Sequence, residues 1–291
     1  MLLCIDVGNT QTELALYPRP DDGLADTPGT TATADPATAR WSARIRTERR
    51  ATADELALTV RGMLGPLLGE VDGVAALSTV PALLRELRGM CEKHFAGVEQ
   101  VLVEPGVRTG VPLLVDNPKE VGADRVVQAL AAYEQVGGPC VVVVFGTSTT
   151  VDAVSASGEF LGGAIAAGVA VSAEALATRA AGLRPVELVA PRSALGRSTV
   201  ESMQVGLVLG AAAMVDGLVT RLADDIAARD GQGRRPVAVV ASGGLAPVVA
   251  PECATVTHQV PDLTLQGLRA VFVRVRAAAR AREDRRRHSR R

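Results

Sequence analysis

At 291 residues with 47% hydrophobic content, the chain has room for one large or two ordinary domains around a substantial core. A net charge of -1 and an aromatic content of 2% exclude nucleic acid as a main partner, because there is no basic excess to neutralise phosphates and few rings to stack on bases. Four scattered cysteines (Cys4, Cys91, Cys140, Cys253) and three dispersed histidines (His94, His258, His288) argue against a zinc site; with no basic leader and no ~20-residue apolar run, they read as a soluble, untargeted, cytoplasmic protein.

Residues 1–17 read as a β-hairpin: an apolar run carrying a single acid, Asp6, a tight turn at Gly8 and Asn9, two residues that accept φ > 0, and a return along Glu13 to Leu16. An acid at a strand end, beside turn N–H groups, is a place where a metal-bound phosphate docks, although most Gly-Asn turns are only turns. What raises the functional reading is a second copy. Residues 3–12 lie without gaps over residues 141–150, two buried-strand runs that each end in glycine and continue in small polar residues, with Asp6 answered by Val144. Such a half-chain repeat implies two similar domains, each presenting a hairpin turn to one cleft.

Residues 19–38 hold little to bury and read as a surface loop. A third strand over 41–47, a helix from the capping signal Thr52 to Glu55 as far as 67, a strand at 73–78, a helix at 81–95 and a strand at 98–103 complete an α/β domain with a mixed sheet. Residues 105–122 form the linking region and deliver Asp124 and Arg125 to the start of a helix, where an acid also has the plain role of offsetting the helix dipole. The repeated hairpin at 140–153 leads into a strand at 159–165 and a helix at 172–181. Ser198 and Glu201 have capping-box spacing before a long helix to 229, lined with small residues from Gly206 to Gly217 that permit close approach by another helix. A strand at 237–241 ends in the glycine-rich turn 242–246, a last strand falls near 255–260, and a helix from 264 runs into a basic tail read as a solvated, fraying end.

Taken together, DVGNT at 6–10, GADR at 122–125, FGTSTTVD at 145–152, GGAIAAGV at 162–169, GRST at 196–199, SGGLA at 242–246 and DLTLQGL at 262–268 resemble the type III pantothenate kinases, collinearly over nearly the whole chain. The resemblance implies the acetate and sugar kinase, heat-shock chaperone and actin superfold: two duplicated ribonuclease H-like domains, at 1–118 and 119–280, with mixed β-sheets flanked by helices, ATP in the cleft between them, and residues 281–291 as a disordered tail. It implies ATP-dependent phosphorylation of pantothenate, the first step of coenzyme A synthesis, by a homodimer that uses Mg²⁺ and a monovalent cation, K⁺ or NH₄⁺. By the same resemblance Asp6, Val7, Gly8, Asn9, Thr10, Gln11, Thr12, Glu13 and Thr147 surround the ATP phosphates, with Asp6 favouring the hydrated Mg²⁺. Asp124 is the proton acceptor, and Val115, Gly122, Ala123, Arg125 and Thr199 join it at the substrate, the arginine suiting the pantothenate carboxylate. Residues 242–246 match the adenosine-side turn.

Four positions depart from the family pattern. Val144 stands where the family has the acid that ligates the monovalent cation, Val115 replaces a tyrosine near the substrate, Ala167 a proline, and Glu13 stands where some members have a lysine. Val144 and Val115 motivate an alternative reading, a weak or inactive homologue that binds nucleotide or regulates a partner. A further alternative is another sugar or acid kinase of the same superfold.

Overall fold

The computed structural model describes residues 1–19, 38–104, 106–230 and 237–288. Strands β1 (Leu2–Val7), β2 (Gln11–Tyr17) and β3 (Trp41–Arg46) pair antiparallel, and β4 (Gly73–Ser78) and β5 (Glu99–Val103) add in parallel on the other side of β1, giving the order β3-β2-β1-β4-β5. Helix α1 (Ala53–Leu64) starts at a complete capping box: the Thr52 hydroxyl accepts the Glu55 N–H, and the Glu55 carboxylate accepts the Thr52 N–H at 2.8 Å. Helix α2 (Pro81–His94) follows, with proline in its first turn, and α3 (Ala123–Val136) carries Asp124 in its first turn.

The second sheet repeats the first. Strands β6 (Cys140–Phe145), β7 (Ser148–Val154) and β8 (Phe160–Ala167) pair antiparallel, and β9 (Ala238–Ser242) and β10 (His258–Gln259) lie parallel beside β6, in the order β10-β9-β6-β7-β8. β1 and β6 share one burial pattern, buried throughout except at the fifth residue, Asp6 in one and Val144 in the other. Helix α4 (Val169–Arg179) follows β8; α5 (Thr199–Gln204), a π-helical turn (Val205–Leu209) and α6 (Gly210–Asp230) form one continuous stretch; α7 (Ala246–Val249) follows β9; and α8 (Leu263–His288) ends the described chain.

The turn of the first hairpin differs from the sequence expectation. The ladder pairs Val7 with Thr12, and the Gly8 N–H donates to the Gln11 carbonyl at 3.0 Å, so the tip is Asn9 and Thr10 rather than Gly8 and Asn9. Gly8 has φ outside the left-handed region; it is small because a Cβ there would lie 2.9 Å from the Gln11 carbonyl oxygen. In the second hairpin Phe145 pairs with Thr149, and the Gly146 N–H reaches the Ser148 carbonyl at 3.0 Å, which leaves Thr147 alone at the apex. The ungapped repeat therefore holds on β1 and β6 and slips by one residue on the return strands.

Other differences have local causes. The helix expected as one piece to residue 229 contains the π-turn at Gly206, with the Gly210 N–H reaching back to the Val205 carbonyl. Ser198 caps α5 through the Glu201 N–H at 3.2 Å, but the Glu201 carboxylate takes the Arg197 N–H at 2.8 Å, so the reciprocal half of the box slips one residue. The last strand starts late because the Asp216 carboxylate on α6 accepts the Ala254 and Thr255 N–H groups at 2.9 and 3.0 Å. The loop read at 19–38 falls, apart from its end residues, outside the described residues, as does 289–291 of the tail; residues 281–288 are helical.

By its internal contacts the chain divides into two compact units: Met1–Gly110 with Lys119–Val127 and Thr264–Arg291, and Val111–Pro118 with Gln128–Leu263. In the first, strand alternation sends Leu3, Ile5, Val7, Leu14 and Leu16 into one core with α1 and α2. The opposite face, which bears Leu2, Cys4 and Asp6, is covered by α8, whose Phe272 lies where a Cβ on Gly73 would stand. Helix α8 also meets α3 at Gly267, where a Cβ would overlap the Val127 carbonyl. Gly267→Ala is accordingly expected to cost about 1–3 kcal/mol of stability by overpacking, measurable as a lower denaturation midpoint; an unchanged midpoint would show that the helices separate freely there. In the second unit Val141, Val143, Phe145, Val151 and Ala153 pack against α6 and α7. All four cysteines are free and buried, and burial pushes the Cys91, Cys140 and Cys253 thiols up to about 12, which leaves them unreactive packing groups.

Candidate functional site

In the first unit the turn after β1 is strapped to the segment that follows β3. The Thr47 N–H donates to the Thr10 carbonyl at 3.0 Å, and Arg49 Nε–H donates to the Asn9 carbonyl at 3.2 Å. Because N–H and C=O of a trans peptide point in opposite directions, these two bonds turn the N–H ends of the tip peptides away from that segment. N–H ends presented at a turn beside a strand end form a recess suited to an anion.

Asp6 sits directly below this turn. It faces Glu13 across the ladder, and Glu13 faces Arg44, whose Nε donates to Glu13 Oε1 at 2.8 Å. The row across three strands thus reads acid, acid, base, and the Arg44 charge is committed to Glu13. Asp6 Oδ1 is buried and has no hydrogen-bond partner among the described residues. Burial lifts the Asp6 carboxyl well above the ordinary carboxylate range, and the charges of Asp124 and Glu13 push in the same direction.

Asp124 lies in the first turn of α3, and its carboxylate accepts the N–H of Arg125 and its own N–H. Burial raises its pKa; those two bonds and the Arg125 charge oppose the rise without cancelling it. Gly122 leaves room for this carboxylate, since a Cβ there would meet Asp124 Oδ1. Two carboxyl groups that sense each other, both lifted and one with an unpartnered oxygen, form a site primed for a cation and for proton transfer.

The second unit holds its own turn differently. The Thr147 carbonyl accepts the Gly168 N–H at 3.1 Å, and the Phe145 carbonyl accepts the Leu245 N–H at 3.2 Å. A Cβ on Gly168 would overlap the carbonyls of Gly146 and Thr147, and one on Gly243, whose φ is 99°, would overlap Phe145. The glycine-rich stretches at 162–169 and 242–246 are therefore the two segments that close on this turn. Val144, in the Asp6 position, pairs with Thr150 on β7 and Ser242 on β9. Thr150 Oγ1 is buried without a hydrogen-bond partner, while Ser242 Oγ donates to the Pro261 carbonyl at 3.2 Å. Exposed Thr199 opens α5, and Val115 is half-buried beside Gly162 on a segment joined to β8 through Leu113 and Phe160.

Within the first unit the structure brings together Asp6, Gly8, Asn9, Thr10, Gln11, Glu13, Gly122, Asp124 and Arg125 of the expected residues. Val7 lies in the core, and the Thr12 hydroxyl is paired with that of Thr47 at 2.9 Å on the far face of the sheet, so these two reach the turn only through their backbone. The structure adds Arg44, Arg46 and Arg49, which the sequence reading did not single out. The exposed alternation of WSARIR on β3 was a usable signal, but its pairing with β2 was not. A cation fits at Asp6, where the donor set is one carboxylate with a buried unpartnered oxygen; among the described residues no cluster of three metal-ligating side chains occurs. The side chain of Val144 carries no oxygen donor.

A sequence model of the type III pantothenate kinases matches residues 2–221. Proteins named type III pantothenate kinase match along nearly their whole lengths: that of Saccharopolyspora erythraea is 57% identical over 94% of this chain and 98% of its own, and that of Mycobacteroides abscessus is 54% identical over 96% and 97%. Among solved structures, a Baf family transcriptional activator from Campylobacter jejuni superposes with a TM-score of 0.56 at 14% identity, covering 94% of this chain and 99% of that one. The ROK hexokinase of Thermus thermophilus gives 0.50 at 15%, covering 95% and 99%. At such identities these two speak for the fold alone, and they agree with the duplicated ribonuclease H-like topology of the two sheets.

Proposed function

This chain belongs to the type III pantothenate kinase family, and from that premise we propose that it transfers the γ-phosphoryl group of ATP to the hydroxyl of pantothenate, the first step of coenzyme A synthesis, with Asp124 as proton acceptor. The observation that carries the assignment is the pair of lifted carboxyls, Asp6 with its unpartnered oxygen and Asp124 at a helix start. A raised pKa suits Asp124 as a base for an alcohol, because it narrows the gap between donor and acceptor. A divalent ion carried by ATP would neutralise phosphate charge and take an oxygen of Asp6. The turn N–H ends and Thr147 hold the phosphates; Arg125 orients the pantothenate carboxylate, with Gly122, Ala123, Val115 and Thr199 lining the substrate.

We assign a homodimer and a cytoplasmic location on physical grounds. The helical stretch Thr199–Arg229 is long and apolar enough by composition to cross a membrane, yet only 28% of its most apolar window is buried within the chain. Its glycines and alanines let a second copy approach closely, and that contact covers the apolar surface. Free, buried cysteines suit a reducing compartment.

The reaction runs without the monovalent cation, since Val144 supplies no ligand. Wild-type protein with ATP, Mg²⁺ and pantothenate is expected to form phosphopantothenate at the same rate in K⁺, NH₄⁺ and Na⁺ buffers. Val144→Asp also gives the orphaned Thr150 hydroxyl an acceptor; it is expected to raise turnover in K⁺ on the order of 10²-fold, the scale of one preorganised electrostatic contact. No product from either protein would favour the second reading, a nucleotide-binding regulator, for which Val144 and its unpartnered neighbour Thr150 are the specific observations.

A further inference from the structure

The sheet face that carries Asp6 continues past it in a second row. Arg46 on β3 pairs with Gln11, and Gln11 closes the turn by accepting the Gly8 N–H. Strand alternation places Gln11 and Glu13 on the Asp6 face of β2, and Arg44 and Arg46 beside them on β3; Trp41 and Ala43 pack on the opposite core. The row at the level of the turn is therefore Gly8, Gln11, Arg46, about 10 Å wide at two strand spacings.

Charge separates the two arginines of this face. Arg44 is bound to Glu13 at 2.8 Å. Arg46 is exposed and has no ion-pair or hydrogen-bond partner among the described residues. Arg49, also exposed, uses Nε on the Asn9 carbonyl, which fixes its guanidinium against the tip of the turn. Three carboxylates, Asp6, Glu13 and Asp124, already crowd this end of the sheet and raise the cost of adding negative charge. A triphosphate seated on the turn needs positive charge on the sheet face, and the arginine that remains uncommitted there is Arg46.

We infer that Arg46 binds the β- and γ-phosphates of the nucleotide from the sheet face that carries Asp6. The arrangement moves the cation one strand outward: Glu13 on β2 is neutralised by Arg44, and the next arginine of the same strand face serves the ligand. A guanidinium at this rim engages phosphate oxygens through two parallel N–H bonds, which a lysine matches only as a point charge. The inference rests on the kinase reading for the presence of ATP, and it concerns residues that lie outside the base and divalent-ion positions.

Calorimetric binding of ATP, ADP and AMP to the full-length wild type, Arg46→Gln and Arg46→Lys tests it. Arg46→Gln is expected to weaken ATP roughly tenfold, ADP by less and AMP not at all, with Arg46→Lys recovering part of the loss. The thermal midpoint should stay unchanged, because the side chain is exposed and unpaired. The pantothenate KM should stay unchanged as well. Equal affinities for ATP in wild type and Arg46→Gln, or a loss of the same size for all three nucleotides, overturns the inference while leaving phosphopantothenate formation, and with it the kinase reading, intact. A wild type that binds no ATP overturns both.

Discussion

Asp124→Asn is expected to lower kcat by about 10²–10⁴-fold, the contribution of a positioned general base, while ATP affinity changes little. The substitution keeps the shape of the side chain. An asparagine carbonyl still accepts the Arg125 N–H that the carboxylate accepts now, so α3 keeps its start and Gly122 keeps its place under the side chain. What disappears is the ability to take a proton from the attacking hydroxyl. The pH profile supplies a second readout. Burial holds the Asp124 carboxyl above the ordinary carboxylate range, so wild-type turnover should rise with pH along a limb displaced upward from that range, and residual turnover in the asparagine variant should lose the limb. A variant that keeps wild-type kcat would remove Asp124 from the role of base.

Asp6→Asn is expected to act in opposite directions on activity and stability. Catalytic efficiency should fall on the order of 10²–10³-fold, since the oxygen proposed to hold the nucleotide-borne divalent ion would lose its charge. Stability above the ordinary carboxylate range should rise. The sign follows from linkage. The folded state holds the Asp6 proton more tightly than the unfolded chain does, because burial, Asp124 and Glu13 all oppose the charge. Wild type therefore loses stability as pH rises from the ordinary carboxylate value through the raised folded value, and asparagine removes that part of the slope. Denaturation midpoints at several pH values, with and without Mg²⁺-ATP, measure both effects. A midpoint that drops in Asp6→Asn would mean that the carboxylate has a stabilising partner after all. The pattern expected is that of a functional charge held at a cost to the fold.

Much of this was legible from local sequence. The strand-turn-strand signal at each hairpin, the Thr52 and Glu55 box, the proline at the start of α2 and the Asp124 position all depend on neighbours within a few residues, and each appears in the structure. The two sheets share one strand order, as the repeat implied. What could not be read was set by distant partners. The Asp216 carboxylate shortens the last strand from an element some 40 residues earlier. Helix α8 rejoins the first unit because Gly73 and Gly267 leave room for Phe272 and for the α3 backbone. Arg46 enters the candidate site only through the register of β3 against β2, which composition alone does not fix.

The two hairpins also record where such a protein tolerates editing. Five residues lie between the cross-strand partners Val144 and Thr150, and six between Asp6 and Glu13, yet both pairs sit in matching places. A single-residue insertion or deletion at the tip leaves every inward and outward position of both arms as it was. The same change two residues to either side would turn one arm inside out and send its apolar set into water. The apex is thus the one spot in each hairpin where length is free to drift after duplication. Drift there alters how many peptide groups a turn offers while sparing the sheet beneath, so two copies of one ancestral loop can part in ligand chemistry before they part in architecture.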